Sequence, residues 1–169
     1  NNELIHFNVE QNLNDLCKSM KGLLQKNNIH LKPHFQSGLS LFGYAGAFSQ
    51  IVQIILSNAI DHAFDGMAGA RIELIGEQRS NDIVVRVIDN GKGIKPEELP
   101  RIFDPFFTTK RQESHTGLGL HMAKIWIEQA FNGEIRVDST EGRGTSFELK
   151  FRSIEQGFCP LPSSKTELI

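Results

Sequence analysis

Five short stretches carry residues whose type and spacing could do chemistry. In the first, residues 50–63, QIVQIILSNAIDHA, a helix would put Asn58 seven residues after Ile51, four after Ile54 and three after Ile55. That is one face, and the face is apolar. An amide oxygen is a hard, neutral ligand suited to Mg²⁺ that keeps its waters and phosphate partners. His62, one turn later, would touch phosphate or sugar. The same spacing describes a core asparagine bonded to backbone, and both readings stand at this point. In the second stretch, residues 83–94, IVVRVIDNGKGI, a β-rich run leads into Asp89, then Gly91, Gly93 and Ile94. An ionised carboxylate only accepts hydrogen bonds, which suits the exocyclic amine of adenine. The glycines let backbone approach a base closely, although Asp-Asn-Gly is also ordinary turn chemistry.

The third stretch, residues 102–110, IFDPFFTTK, sets Phe103, Phe106 and Phe107 beside a polar run that continues to His115. The aromatics could anchor a lid whose Lys110 reaches a phosphate; they could equally be core, with a solvated lysine. The fourth, residues 116–120, TGLGL, opens a helix. Thr116 suits the N-cap, and Gly117 and Gly119 expose N–H groups at the positive helix end, where a triphosphate is stabilised. It is not the dinucleotide fingerprint, because Met122 stands at the third glycine position, and no GKS or GKT of a phosphate-binding P-loop occurs. The fifth, residues 141–145, EGRGT, is hairpin-turn chemistry from which Thr145 could add one polar contact to a nucleotide. Other patterns fail. His30 and His34 flank Pro33 in a non-helical segment, Glu97 and Glu98 follow Pro96 as helix-start charges, and there is no HExxH or GxSxG.

The elements that must position these residues follow from periodicity. Residues 4–8 alternate like a strand, and Leu13, Leu16, Cys17, Met20, Leu23 and Leu24 predict a helix over 10–25. A strand over 28–35, a loop with strand character over 37–46 and a helix over 48–64 follow. Segments 71–76 and 82–88, joined by the polar run 77–81, read as a hairpin. Residues 89–117 are irregular, with a helical turn after Pro96. A helix over 116–131 stops at Asn132-Gly133, and 134–138 with 145–151 make a second hairpin. Together these predict an α+β fold, a two-layer sandwich with a mixed, mostly antiparallel sheet covered on one face by helices. Pro160, Pro162, Ser163 and Ser164 mark 153–169 as a tail or linker behind a domain spanning 1–152.

The chain has 169 residues, enough for one domain, and a formal net charge of −2. No basic stripe points to nucleic acid. Cys17 and Cys159 lie far apart with no CxxC, which suits a reducing compartment. No apolar run approaches the roughly 20 residues of a membrane span, and no secretory signal opens the chain. The first residue is Asn, read as marking a piece of a longer protein. We expect a cytoplasmic location without direct membrane contact, for a parent that can be membrane-anchored.

Taken in order, the five stretches resemble the ATP-binding catalytic domain of two-component sensor histidine kinases, within the superfamily that also holds gyrase, the mismatch-repair protein MutL and a heat-shock chaperone. The resemblance covers about residues 5–152. It implies the Bergerat ATP-binding fold, with ATP and Mg²⁺ as cofactors. Asn58 matches the magnesium-binding asparagine, and Asp89 matches the reader of the adenine amine, with Gly91, Gly93 and Ile94 beside it. Thr116, Gly117 and Gly119 match the lid end, with Leu118 and Leu120 packing behind. Thr145 matches the threonine near an adenine-linked water and Lys110 a lid contact, while His62 keeps the phosphate or sugar contact read from its own position. The resemblance further implies transfer of the γ-phosphate to a histidine on a separate helical domain of the same parent, with a response regulator engaged indirectly. None of the six histidines stands in the acceptor context, so the chain alone is expected to be a monomer and its parent a homodimer. There are departures. Ile54 stands where a polar residue is common, and Asp61 and His62 where a basic one is. An apolar Ile54 cannot serve as a base, which argues against a gyrase- or MutL-type ATPase clamp. A nucleotide-binding module with weak or no kinase activity stays as the alternative.

Overall fold

The computed structural model describes residues 3–107 and 119–154. Lys110, Thr116, Gly117 and Leu118 lie outside the described residues. The elements are β1 (Leu4–Asn8), α1 (Val9–Lys26), β2 (His30–Phe35), β3 (Ser40–Tyr44), α2 (Ala45–His62), β4 (Arg71–Arg79), β5 (Asp82–Asp89), a single 3₁₀ turn (Leu99–Arg101), α3 (Gly119–Phe131), β6 (Glu134–Thr140) and β7 (Gly144–Arg152).

A five-stranded sheet runs in the order β2-β4-β5-β7-β6. The β2–β4 pair is parallel and the other three are antiparallel. The mixed sheet and its helical layer are the predicted architecture. A separate antiparallel pair, β1 with β3, stands beside it. Alternation decides the faces. Ile72 and Leu74 of β4, Ile83, Val85 and Val87 of β5, and Phe147, Leu149 and Phe151 of β7 all point into the core under the helices. From α2, Phe48, Ile51 and Ile55 meet them, and from α3, Ala123, Ile127 and Phe131. The opposite face is polar and laced with ion pairs, including Arg79 with Glu77 and Glu148.

Helix boundaries have local causes. Asn8 caps α1, its side chain accepting from the Gln11 N–H at 2.9 Å. The predicted stop after α3 is present: Asn132 takes φ 47°, and the Gly133 N–H donates to Ile127 O at 3.0 Å. A Cβ on Gly133 would lie 1.9 Å from Lys150 O, so the sheet itself excludes a side chain there. Two expectations needed revision. Half of the 37–46 segment is a regular strand, β3 (Ser40–Tyr44), and α2 follows it directly from Ala45 with no loop between. The polar run 77–81 is mostly strand, with Arg79 opposite Asp82 in register and the turn made at Ser80 (φ 54°). Glu77 and Arg79 look like loop residues by type, but they lie on the solvent face, where ion pairing replaces burial.

Phe151 is fully buried between two rings, with centroids 4.6 Å from Phe48 and 5.1 Å from Phe131. Phe151→Ala is expected to lower unfolding free energy by about 3–5 kcal/mol, measured as a shift in the urea midpoint.

Candidate functional site

The site begins where the apolar rows of the core end. One row across the sheet reads Leu74, Val87, Phe147, Val137; the next outward reads Ile72, Asp89, Thr145, Ser139. Both rows point to the helical side, but three of the four residues in the second are polar. Asp89 and Thr145 are each only 7% exposed. A buried carboxylate needs donors, and the backbone supplies two. Asp89 Oδ1 accepts from the Gly91 N–H at 2.9 Å and from the Thr145 N–H at 3.2 Å. Among the described residues Oδ2 has no hydrogen-bond partner. Burial pushes the Asp89 carboxyl above its ordinary value, and these two N–H bonds partly offset the rise.

Three pieces of backbone close on the turn after β5. The Lys92 N–H donates to Ala63 O, at the end of α2, at 2.7 Å. A Cβ on Gly91 would lie 2.2 Å from that same oxygen. From the other side the Gly142 N–H donates to Lys92 O at 2.7 Å. A Cβ on Gly93 would lie 2.2 Å from Thr140 O, and Gly93 has φ 72° besides. The Ile94 N–H donates to Ser139 Oγ at 2.8 Å. Asn90 ties the turn to the loop before β4, accepting from the Arg71 N–H and donating to Gly69 O.

The end of α2 therefore touches the Asp89 turn, and the same helix carries Asn58 one turn before His62. Both are half-buried. The Asn58 side chain makes no hydrogen bond among the described residues. Gly119, the first described residue of α3, lies over α2: a Cβ there would sit 3.5 Å from Ile54 Cγ2. Leu120 packs against the core. The fold thus gathers Asp89, Gly91, Gly93, Ile94 and Thr145 into one cluster. It sets Asn58, His62, Gly119 and Leu120 on the two helices that border it.

The aromatic stretch divides. Phe103 is half-buried, edge-on to Phe147 at 6.4 Å, and Phe107 lies under the Arg101 guanidinium at 4.7 Å. Phe106 is 72% exposed at φ 65°. Ser139 and Asn90 were not anticipated as site residues. The signal for Ser139 was present, since a hairpin centred on EGRG puts it opposite Thr145.

Residues 43–154 match the family described as histidine kinase-, DNA gyrase B-, and HSP90-like ATPase. The chain belongs to this family. The sensor histidine kinase ZraS of Salmonella typhimurium is 34% identical over 145 residues, 82% of this chain and 30% of that protein. A probable C4-dicarboxylate sensor kinase of Bacillus subtilis is 35% identical over 105 residues, 59% of this chain and 19% of its own length. The chain thus spans less than a third of either relative. Among solved structures, the nucleotide-free catalytic domain of histidine kinase ThkA superposes with TM-score 0.79 at 26% identity, covering 89% of this chain and 96% of that one. This histidine-kinase-like ATPase domain has no helix, among the described residues, long and apolar enough to cross a membrane.

The raised Asp89 carboxyl sets a sign for stability. The folded state holds the proton more tightly than the unfolded state, so this group favours folding at acid pH and loses that contribution as pH rises through its folded value. Asp89→Asn keeps an oxygen for both N–H donors and removes the buried charge. Its melting temperature is expected to exceed that of the parent chain at pH 7, with the gap closing as pH falls toward the ordinary carboxylate range.

Proposed function

We propose that residues 1–152 form the cytoplasmic ATP-binding catalytic domain of a sensor histidine kinase, a domain that holds Mg-ATP and donates its γ-phosphate to a histidine on a separate helical domain of the same parent. The observation that carries this reading is the buried Asp89 carboxylate, with one oxygen saturated by backbone and the other available to a donor, at the mouth of a turn built from close backbone contacts. Oδ2 accepts from the adenine amine. Gly91, Gly93 and Ile94 give the base a flat wall, and Thr145 contributes from the neighbouring strand.

The donor set fits a magnesium ion on α2. The Asn58 amide is neutral, half-buried and makes no hydrogen bond among the described residues; a hard, oxygen-preferring cation takes such a ligand. When bound, the ion neutralises charge on the phosphate oxygens. His62 contacts phosphate or sugar. Gly119, at the start of α3, offers an N–H to the phosphates, with Leu120 beside it; Thr116, Gly117, Leu118 and Lys110, outside the described residues, take the phosphate-side roles that the resemblance implies. Phosphoryl transfer asks mainly for positioning and charge stabilisation, and these residues supply both. The nucleophile is the acceptor histidine of the partner domain. Ile54, half-buried beside Gly119, offers no base to activate water, which favours transfer to a histidine over autonomous hydrolysis. The chain alone is a monomer, its parent a homodimer, and a response regulator is the downstream acceptor.

Mixing this chain with its parent's phosphoacceptor domain and γ-labelled ATP is expected to yield phosphohistidine. Nucleotide binding without phosphohistidine would leave a binding module, and a steady ATPase rate from the chain alone would favour the clamp-type reading. Calorimetry tests the two central residues. Asp89→Asn turns an amide N–H toward the adenine amine and is expected to weaken ATP by about 100-fold. Asn58→Ala is expected to bring affinity in Mg²⁺ down to the value in EDTA; an equal loss in both would remove Asn58 from the metal.

A further inference from the structure

Ser139 makes three hydrogen bonds with one hydroxyl. Its Oγ accepts from the Ile94 N–H at 2.8 Å. It lies 3.1 Å from Gly144 O and 2.8 Å from Thr145 Oγ1. A serine hydroxyl has one proton and two lone pairs. A carbonyl oxygen cannot donate, so the Ser139 proton goes to Gly144 O. One lone pair is taken by Ile94. With the Ser139 proton on Gly144 O, the Thr145 hydroxyl donates to Ser139, one of the two directions that the 2.8 Å contact allows. With its proton committed inward, Thr145 presents only lone pairs to its surroundings. Its own N–H is also spent, on Asp89 Oδ1.

We propose that Ser139 is a specificity-determining positioning residue, which orients the Thr145 hydroxyl so that the pocket beside Asp89 accepts hydrogen bonds and donates none. Thr145 Oγ1 then accepts from the C6 amine of adenine and repels the O6 of a 6-oxo purine; because the N1–H of a 6-oxo purine can still donate to Asp89 Oδ2, the discrimination that Ser139 sets lies at Thr145. Ser139 touches no base; it acts through Thr145. Through Ile94 it also holds the glycine turn against the β6–β7 hairpin. This inference rests on the reading of Asp89 as the residue that meets the adenine amine.

The test compares Mg-ATP with Mg-ITP, which carries oxygen at C6, by calorimetry on the whole chain. The parent chain is expected to prefer ATP. In Ser139→Ala the Thr145 hydroxyl loses its inward acceptor and can turn to donate to the 6-oxo group, so the ATP/ITP affinity ratio is expected to fall about three- to tenfold. Ser139→Thr keeps the hydroxyl and is expected to keep the ratio. In a Thr145→Val background, Ser139→Ala is expected to leave the ratio where Thr145→Val alone sets it. Equal weakening of both nucleotides in Ser139→Ala would reduce Ser139 to a support of the turn and overturn the inference, while leaving ATP binding at Asp89 intact. A further fall in ratio on top of Thr145→Val would overturn the route through Thr145. A parent chain that takes both nucleotides without preference would overturn this inference, and one that ignores both would overturn the Asp89 reading itself and this inference with it.

Discussion

The arrangement depends on a carboxylate that the backbone half-neutralises inside the protein. Asp89 is buried at a strand end, where an unpaired charge would be costly. Two N–H groups on one of its oxygens make that burial tolerable. Those donors come from different places: Gly91 lies two residues on in the same turn, and Thr145 across the sheet on β7. The turn conformation and the sheet register must both be right for the charge to be held.

That requirement explains the crowding around the turn. Ala63 O on one side and Thr140 O on the other lie where side chains at Gly91 and Gly93 would have to go. The end of α2 and the tip of the β6–β7 hairpin are thereby fastened to the same few residues. Because α2 also carries Asn58, the spacing between Asn58 and the Asp89 turn is set by a rigid helix and not by a loop. At the other border Gly119 of α3 meets Ile54 of α2. Core and site are thus continuous: the apolar rows of β4, β5 and β7 run outward until one row turns polar.

A raised carboxyl pKa and an unsatisfied lone pair are often read as defects, and here they coincide with the region assigned a function. Asp89 carries the cost of desolvation without using all its hydrogen-bonding capacity. A sequence selected for stability alone would place Asn there, which keeps an acceptor for both N–H groups without the buried charge. Proteins tend to break local rules where a ligand completes the environment.

The sequence by itself determined the elements and the identity of most candidate residues. Apolar spacing in 48–64, β-rich runs before Asp89 and after Thr145, and glycines at the turns are local signals, written within a few residues of one another. It did not reveal that 77–79 is strand, because solvent-facing ion pairs leave no apolar alternation to detect. Only the tertiary structure shows that the Asn58 amide makes no hydrogen bond among the described residues, since that depends on neighbours distant in sequence. Likewise only the fold showed Ser139, Gly144, Thr145 and Ile94 sharing one hydroxyl. Hydrogen-bond direction is a property of the whole network, and no single residue type encodes it.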